Sequence, residues 1–255
     1  MTISLSSSCS FDFSVAHPSW IPYLEKGLQA VDLAYLKKLT QSKNWLPGPA
    51  SIFNAFSLPL YQVNYVLFGE SPYPRKESAN GYAFWDADVD LLWSNKGLSK
   101  KVNRATSLRN FIKMLLVAEE RLDKNNTNQE AITKIDKHDF LQTNQELFSH
   151  LLEKGFLLLN TSLVLQENAP LKDANAWHPF MREILHHLLK IRQSVTFLLF
   201  GNIAKTIHTL IQDVHPPILN AEHPYNLSFI TNPTVIHFFK PLHLLRKNKI
   251  IETPT

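Results

Sequence analysis

The chain has 255 residues, of which 44% are hydrophobic and 19% charged, ordinary values for one folded domain large enough to bury a substantial core. A formal charge of +4 and a pI near 9.0 are compatible with a polyanionic partner without requiring one. The single cysteine, Cys9, excludes an internal disulfide framework and suits a reducing compartment such as the cytoplasm, and no apolar run approaches the ~20 residues of a membrane helix.

The opening stretch MTISLSSSCSFDFSVA lacks the basic start and continuous apolar core of a secretory signal. It predicts a disordered polar segment over residues 1–16, followed by one domain over 17–250. Leu24, Leu28, Val31, Tyr35 and Leu39 recur at helical spacing and predict an amphipathic helix ending near Gln41, broken by Trp45 to Pro49. Val63 to Phe68 has strand character and runs into GESPYP, where a tightly bent loop is expected. Leu108, Phe111, Ile112, Leu115 and Leu116 mark a second helix, with Thr106 or Ser107 as its N-cap. Residues 123–137 are polar and predict a loop or marginal helix; a helix near 139–154 then leads into a strand at Phe156 to Leu159. Trp177, Phe180, Met181, Ile184, Leu185 and Leu188 mark another helix. Val195 to Phe200 and Pro217 to Ala221 read as strands with a helix from about Asn202 between them, and His237 to Asn248 reads as a terminal helix with a basic end. Short apolar strands separated by helices predict an α/β fold: a three-layer α/β/α sandwich around a central four-stranded parallel sheet.

In such a fold a loop at the carboxyl end of a strand is where a ligand is held. Gly69 to Phe84, GESPYPRKESANGYAF, is that kind of loop. It resembles the water-activating loop of the family-1 uracil-DNA glycosylases, GQDPYHxxxxAxGLxFS, with Gly69, Pro72, Tyr73, Ala79, Gly81 and Phe84 on the pattern. The resemblance continues in order along the chain: LPGPASIFNAFSLPL at residues 46–60, GFLLLNTSLVL at 155–165, FLLFG at 197–201 and HPYNLS at 223–228. Val214-His215-Pro216 also looks like the last of these, but the family interval from Gly201 selects His223. Where the family has its catalytic aspartate, this chain has Ser71. Glu70 and Pro74 also depart from the pattern, the proline-rich loop is replaced by Leu98 to Thr106, and Gly69-Glu70-Ser71-Pro72 is similar to the first loop of the family-4 enzymes.

The resemblance implies hydrolysis of the N-glycosidic bond of uracil in DNA by base flipping, without cofactor or metal. Phe84 would be the stacking surface, Asn160 would read the uracil edge, and Tyr73 would exclude a 5-methyl group. His223 would stabilise the leaving base, and Ser71 or Glu70 would manage the water. Leu227 would be the wedge that fills the vacated stack, with Ser228, Ser107 and Gly201 contacting DNA. Lys96, Lys100, Lys101, Arg104 and Arg109 cluster at the replaced loop as candidate phosphate ligands. Arg246, Lys247 and Lys249 read as solvated charges, and His186-His187 lacks a metal-ligand constellation. The expected partner is uracil-containing DNA, single- or double-stranded, with the protein a monomer off the membrane and a replication or repair protein as a further partner. The Ser71 substitution keeps two alternatives open: a catalytically inactive DNA-binding protein of the same fold, or a glycosylase for another damaged base.

Overall fold

Four short apolar runs build the central sheet. In the computed structural model, which describes residues 2–6, 9–42, 44–167, 170–212 and 214–247, these runs form the strands Tyr65–Gly69, Phe156–Asn160, Thr196–Phe200 and Ile218–Ala221. All neighbours are parallel, and the spatial order is fourth, third, first, second. Parallel strands covered on both faces are apolar throughout, which is why they stand out in the sequence. Val66, Phe68, Leu157, Leu159, Phe197 and Leu199 share one core with the helices Ile21–Ala30, Pro170–Ile191 and Ile203–Leu210. Leu67, Leu158 and Leu198 alternate with them and are equally buried. The α/β class, the flanking helices and the four parallel strands are as expected.

The backbone divides into two compact units. One contains residues up to Asp88 together with Leu152–Ala221, and so the whole sheet. The other contains Val89–Leu151 and the residues from Glu222 onward, and is built around the helices Thr106–Ala118, Asn144–Glu153 and Pro233–Phe239.

Thr2–Ser6 and Cys9–Asp12 pair antiparallel, and Phe11, Phe13 and Ala16 are buried. Four expectations about local structure change. The first predicted helix is two helices, Ile21–Ala30 and Leu33–Gln41, because Val31 is extended and the Asp32 carboxylate caps the second by accepting from Tyr35 N at 2.7 Å. Neither Thr106 nor Ser107 is an N-cap; Ala105 occupies that position with no side-chain bond. The terminal helix is only Pro233–Phe239 followed by one 3₁₀ turn, Lys240–Leu242, where Pro241 and a left-handed His243 (φ +47°) end it. Arg246 and Lys247 lie beyond that end, and Asn248 and Lys249 fall outside the described residues. The helix near 139–154 starts at Asn144 because Thr143 and Glu146 form a reciprocal cap, Glu146 N donating to Thr143 Oγ1 (3.1 Å) and Thr143 N to Glu146 Oε2 (2.8 Å).

The sheet order positions the site. The first strand has the second on one side and the third on the other, so the connection direction reverses between the first and third strands. Loops leaving the carboxyl ends there diverge and open a crevice. The loop starting at Gly69 and the turn at Gly201 both leave from that edge.

Candidate functional site

In the sheet-containing unit, the loop after Tyr65–Gly69 is fixed along its length. Thr161 N donates to Gly69 O (2.9 Å), and Ser162 N and Thr161 Oγ1 both donate to Glu70 O (3.0 Å each). The Glu70 side chain is exposed and Ser71 is half-buried, flanked by the buried Pro72. Tyr73 Oη donates to Phe84 O at 3.1 Å. Burial above all, and then the negative charge of Asp86, pushes the Tyr73 phenol above its ordinary pKa, with Arg75 opposing. The hydroxyl therefore stays a donor at neutral pH. Gly81 has φ +87°, and a Cβ there would stand 2.0 Å from Ser51 O, so only glycine fits.

Phe84 sits in the left-handed region with φ +63°, a costly conformation for a bulky residue. It is held on both sides. Ala83 N donates to Leu158 O of the second sheet strand (3.1 Å), and Ala87 N donates to Ser78 O (3.1 Å). The buried Asp86 carboxylate accepts from Arg75 Nη2 (3.1 Å) and Asp88 N (3.0 Å).

Asn160 ends the second strand directly opposite Gly69 in the register. It is 3% exposed, and a Cβ on Gly69 would lie 2.3 Å from its Oδ1. Gly69 thus leaves room for this amide. Among the described residues the amide makes no hydrogen bond, and its polar atoms are not sealed from solvent, so both stay open to a ligand. Gly201, with φ +80°, turns the chain after the third strand and donates N–H to Ala221 O at 2.9 Å. Glu70, Ser71, Tyr73, Phe84, Asn160 and Gly201 therefore belong to one unit and one edge of the sheet.

The other unit carries His223, Leu227, Ser228 and Ser107. Tyr225 N donates to His223 Nδ1 at 3.1 Å. A backbone N–H can only donate, so Nδ1 is the acceptor and the neutral ring carries its proton on Nε2. The loop is held from beneath by Asn110, a fully buried residue whose Nδ2 donates to the carbonyls of Pro224 (2.8 Å), Tyr225 (3.3 Å) and Asn226 (3.5 Å). Leu227 and Tyr225 project outward, 71% and 67% exposed. Burial alone would raise the Glu222 carboxyl, but hydrogen bonds from Ser228, its own backbone and Asn232 bring it below its usual range. Asn232 Nδ2 reaches Glu222 Oε2 at 2.7 Å while its Oδ1 caps the helix Pro233–Phe239. Ser107 lies in the uncapped first turn of Thr106–Ala118.

Three supporting residues were missed in the sequence. Asn110 had one visible signal, a lone amide on an apolar helical stripe. Arg75 and Asp86 had none, since their pairing depends on how the loop closes. Among the described residues there is no cluster of three metal-ligating side chains and no helix long and apolar enough to cross a membrane.

Residues 57–249 match the model of the Uracil DNA glycosylase superfamily. The chain belongs to the uracil-DNA glycosylase superfamily. Among the relatives of this superfamily member are the uracil-DNA glycosylase of Campylobacter jejuni, 29% identical over 84% of this chain and 80% of its own, and that of Borreliella burgdorferi, 28% identical over 84% and 87%. The wild-type UNG crystal structure from Nitratifractor salsuginis superposes with a TM-score of 0.86 at 37% identity, covering 92% of this chain and 96% of that one. The mimivirus uracil-DNA glycosylase, at 18% identity and a TM-score of 0.56, shares the fold.

Proposed function

We propose that the protein, acting as a cytoplasmic monomer without cofactor or metal, hydrolyses the N-glycosidic bond of deoxyuridine in DNA and leaves an abasic site. The observation that carries this reading is the buried, unpartnered Asn160 amide seated over Gly69. An amide donates and accepts side by side, which matches O4 and N3–H of uracil when its Nδ2 faces O4 and its Oδ1 faces N3–H. Membership of the superfamily and the names of its relatives support the same reaction.

Flipping places the base on the ring of Phe84, whose left-handed backbone is held by Tyr73 and the loop closure. Tyr73 stands at C5 and excludes thymine. As the bond from N1 to C1′ breaks, its electron pair passes to the base and leaves a sugar oxocarbenium ion. The Nε2–H proton of His223, set by the Tyr225 bond, meets the charge growing on O2. Water then adds to C1′ and gives up a proton; Ser71 orients that water, and the exposed Glu70 carboxylate supplies charge and takes the proton. A hydroxyl in place of a fixed carboxylate costs on the order of 10²–10³ in rate, so the enzyme is slow for its class. Leu227 fills the stack, and Ser107, Gly201 and Ser228 steady the backbone.

The test is single-turnover excision from a uracil-containing single-stranded oligonucleotide, with enzyme in excess and abasic sites read by alkaline cleavage. Excision that disappears in His223→Ala is the expected result. A folded protein that binds this DNA tightly and releases nothing over hours overturns it in favour of an inactive DNA-binding protein. Release of a different base, with uracil untouched, overturns it in favour of another substrate.

A further inference from the structure

From Leu91 to Ala118 the chain carries six cations, Lys96, Lys100, Lys101, Arg104, Arg109 and Lys113, and no acidic residue. Elsewhere in the same unit cations sit against carboxylates: Arg246 on Glu119 (3.2 Å), Lys240 on Glu120 (2.5 Å), Arg121 on Asp139 (3.5 Å) and Lys134 on Glu130 (3.7 Å). Among the described residues Lys96, Lys100, Arg104 and Arg109 form no ion pair, and the first three are exposed. Arg109 and Lys113 are one helical turn apart on Thr106–Ala118, an arrangement that costs stability while no anion is present. The Lys113 ammonium is depressed by burial and further by Arg109.

The segment is also built rigidly. Ser99 Oγ caps the short helix Lys100–Arg104 by accepting from Val102 N (3.2 Å). Gln129 accepts from Leu98 N (2.9 Å), and Gln129 and Asn103 bond to each other through their side chains. Arg109 then bridges outward and inward: its Nη1 donates to Asn103 O (3.0 Å) and its Nε to Asn110 Oδ1 (3.3 Å). Asn110 is the residue that holds the His223–Leu227 loop. The exposed side chains of Lys96, Lys100 and Arg104, none of them in an ion pair among the described residues, stand on a fixed support and fit a repeating anion better than a single one.

We infer that Lys96, Lys100 and Arg104 grip the phosphate backbone of DNA, and that Arg109 and Asn110 tie this grip to the loop bearing His223 and Leu227. The inference rests on the DNA reading above and adds a surface and a linkage to it.

The experiment measures binding of a labelled single-stranded oligonucleotide without uracil across a salt series, for the wild type and for the K96Q/K100Q/R104Q variant. Each lost phosphate contact lowers the slope of log K against log salt by ~0.7, so the triple variant should lose about 2. Lys134→Gln, whose ammonium is already paired with Glu130, should leave the slope alone. An unchanged slope in the triple variant, folded by thermal melt, overturns the grip. Lys100→Gln alone should lower the slope by ~0.7, so the grip stays testable if the triple variant does not fold. Because the binding probe holds no uracil, a salt slope that falls in the triple variant while the wild type excises nothing from the uracil-containing oligonucleotide sinks the hydrolase and not the grip. Excision with an unaltered slope sinks the grip alone. Arg109→Lys keeps the charge but loses the bonds that join the two parts; it should keep the slope and lower excision about tenfold. Unchanged excision in that variant would overturn the tie.

Discussion

The loop from Gly69 to Asp88 and the loop from Glu222 to Ser228 are built on opposite plans. The first is secured at nearly every step, by the sheet through Ala83, by Thr161 and Ser162, by the bond from Tyr73 to Phe84, and by the Arg75–Asp86 pair. It even holds a phenylalanine in the left-handed region. The second has its backbone fixed largely by one buried amide and leaves its two largest side chains in solvent. A pocket that must tell one base from another benefits from geometry fixed before the ligand arrives. A wedge needs only a steady root and a free tip.

The sharpest way to break this contrast is a single methyl group. Gly69→Ala places a Cβ 2.3 Å from Asn160 Oδ1 and forces the amide to move, at an ordinary φ where alanine itself is not strained. Single-turnover excision should fall by ~10²–10³, with a cooperative melt retained. Full activity would mean that Asn160 does not read the base. Next in size is Asn110→Ala, which strips three loop carbonyls of their buried donor. Urea denaturation should show a loss of ~1–3 kcal/mol, together with slower excision; an unaffected enzyme would mean the loop has other anchors. Leu227→Ala separates tip from root. Its stability should stay within ~0.5 kcal/mol of wild type because the side chain is exposed. Excision from duplex DNA should drop more than excision from single strands, where there is no stack to refill.

The smallest effect concerns alkali. Tyr35 donates to the buried Asp173 at 2.8 Å, and burial, followed by that carboxylate, raises its phenol above the ordinary value; Tyr73 is raised by burial and Asp86. The folded state keeps both protons where the unfolded chain, titrating near ~10, gives them up. The unfolded state then binds fewer protons, so stability should fall as pH climbs through that value. Urea midpoints from pH 8 to 10.5 should trace the decline, with a shallower fall in Tyr73→Phe.

Much of this architecture could be read from residue order. The sheet was legible because strands buried on both faces are unbroken apolar runs, and the first-loop residues were legible because a fixed loop keeps a fixed spacing. What stayed hidden was contact over distance. The bond from Asn110 to Pro224 spans 114 positions, and no local pattern announces it. The break at Asp32 was hidden for another reason: Val31 and Tyr35 keep the helical period across the gap, so periodicity runs on while the Asp32 cap starts a new helix. The pairing of Thr2–Ser6 with Cys9–Asp12 was masked by a serine-rich composition that looks unstructured.

The order of the strands also sets a timetable for synthesis. Tyr65–Gly69 is the first strand of the sheet to leave the ribosome, yet its neighbours are Phe156–Asn160 and Thr196–Phe200. At about 5–20 residues per second, roughly 6–25 s pass before both have been made. Until Phe156–Asn160 is made, a run of valine, leucine and phenylalanine has no native partner in the sheet, and until Thr196–Phe200 follows one of its edges stays open, so the emerging chain becomes a client for whatever shields nascent apolar segments in the cell.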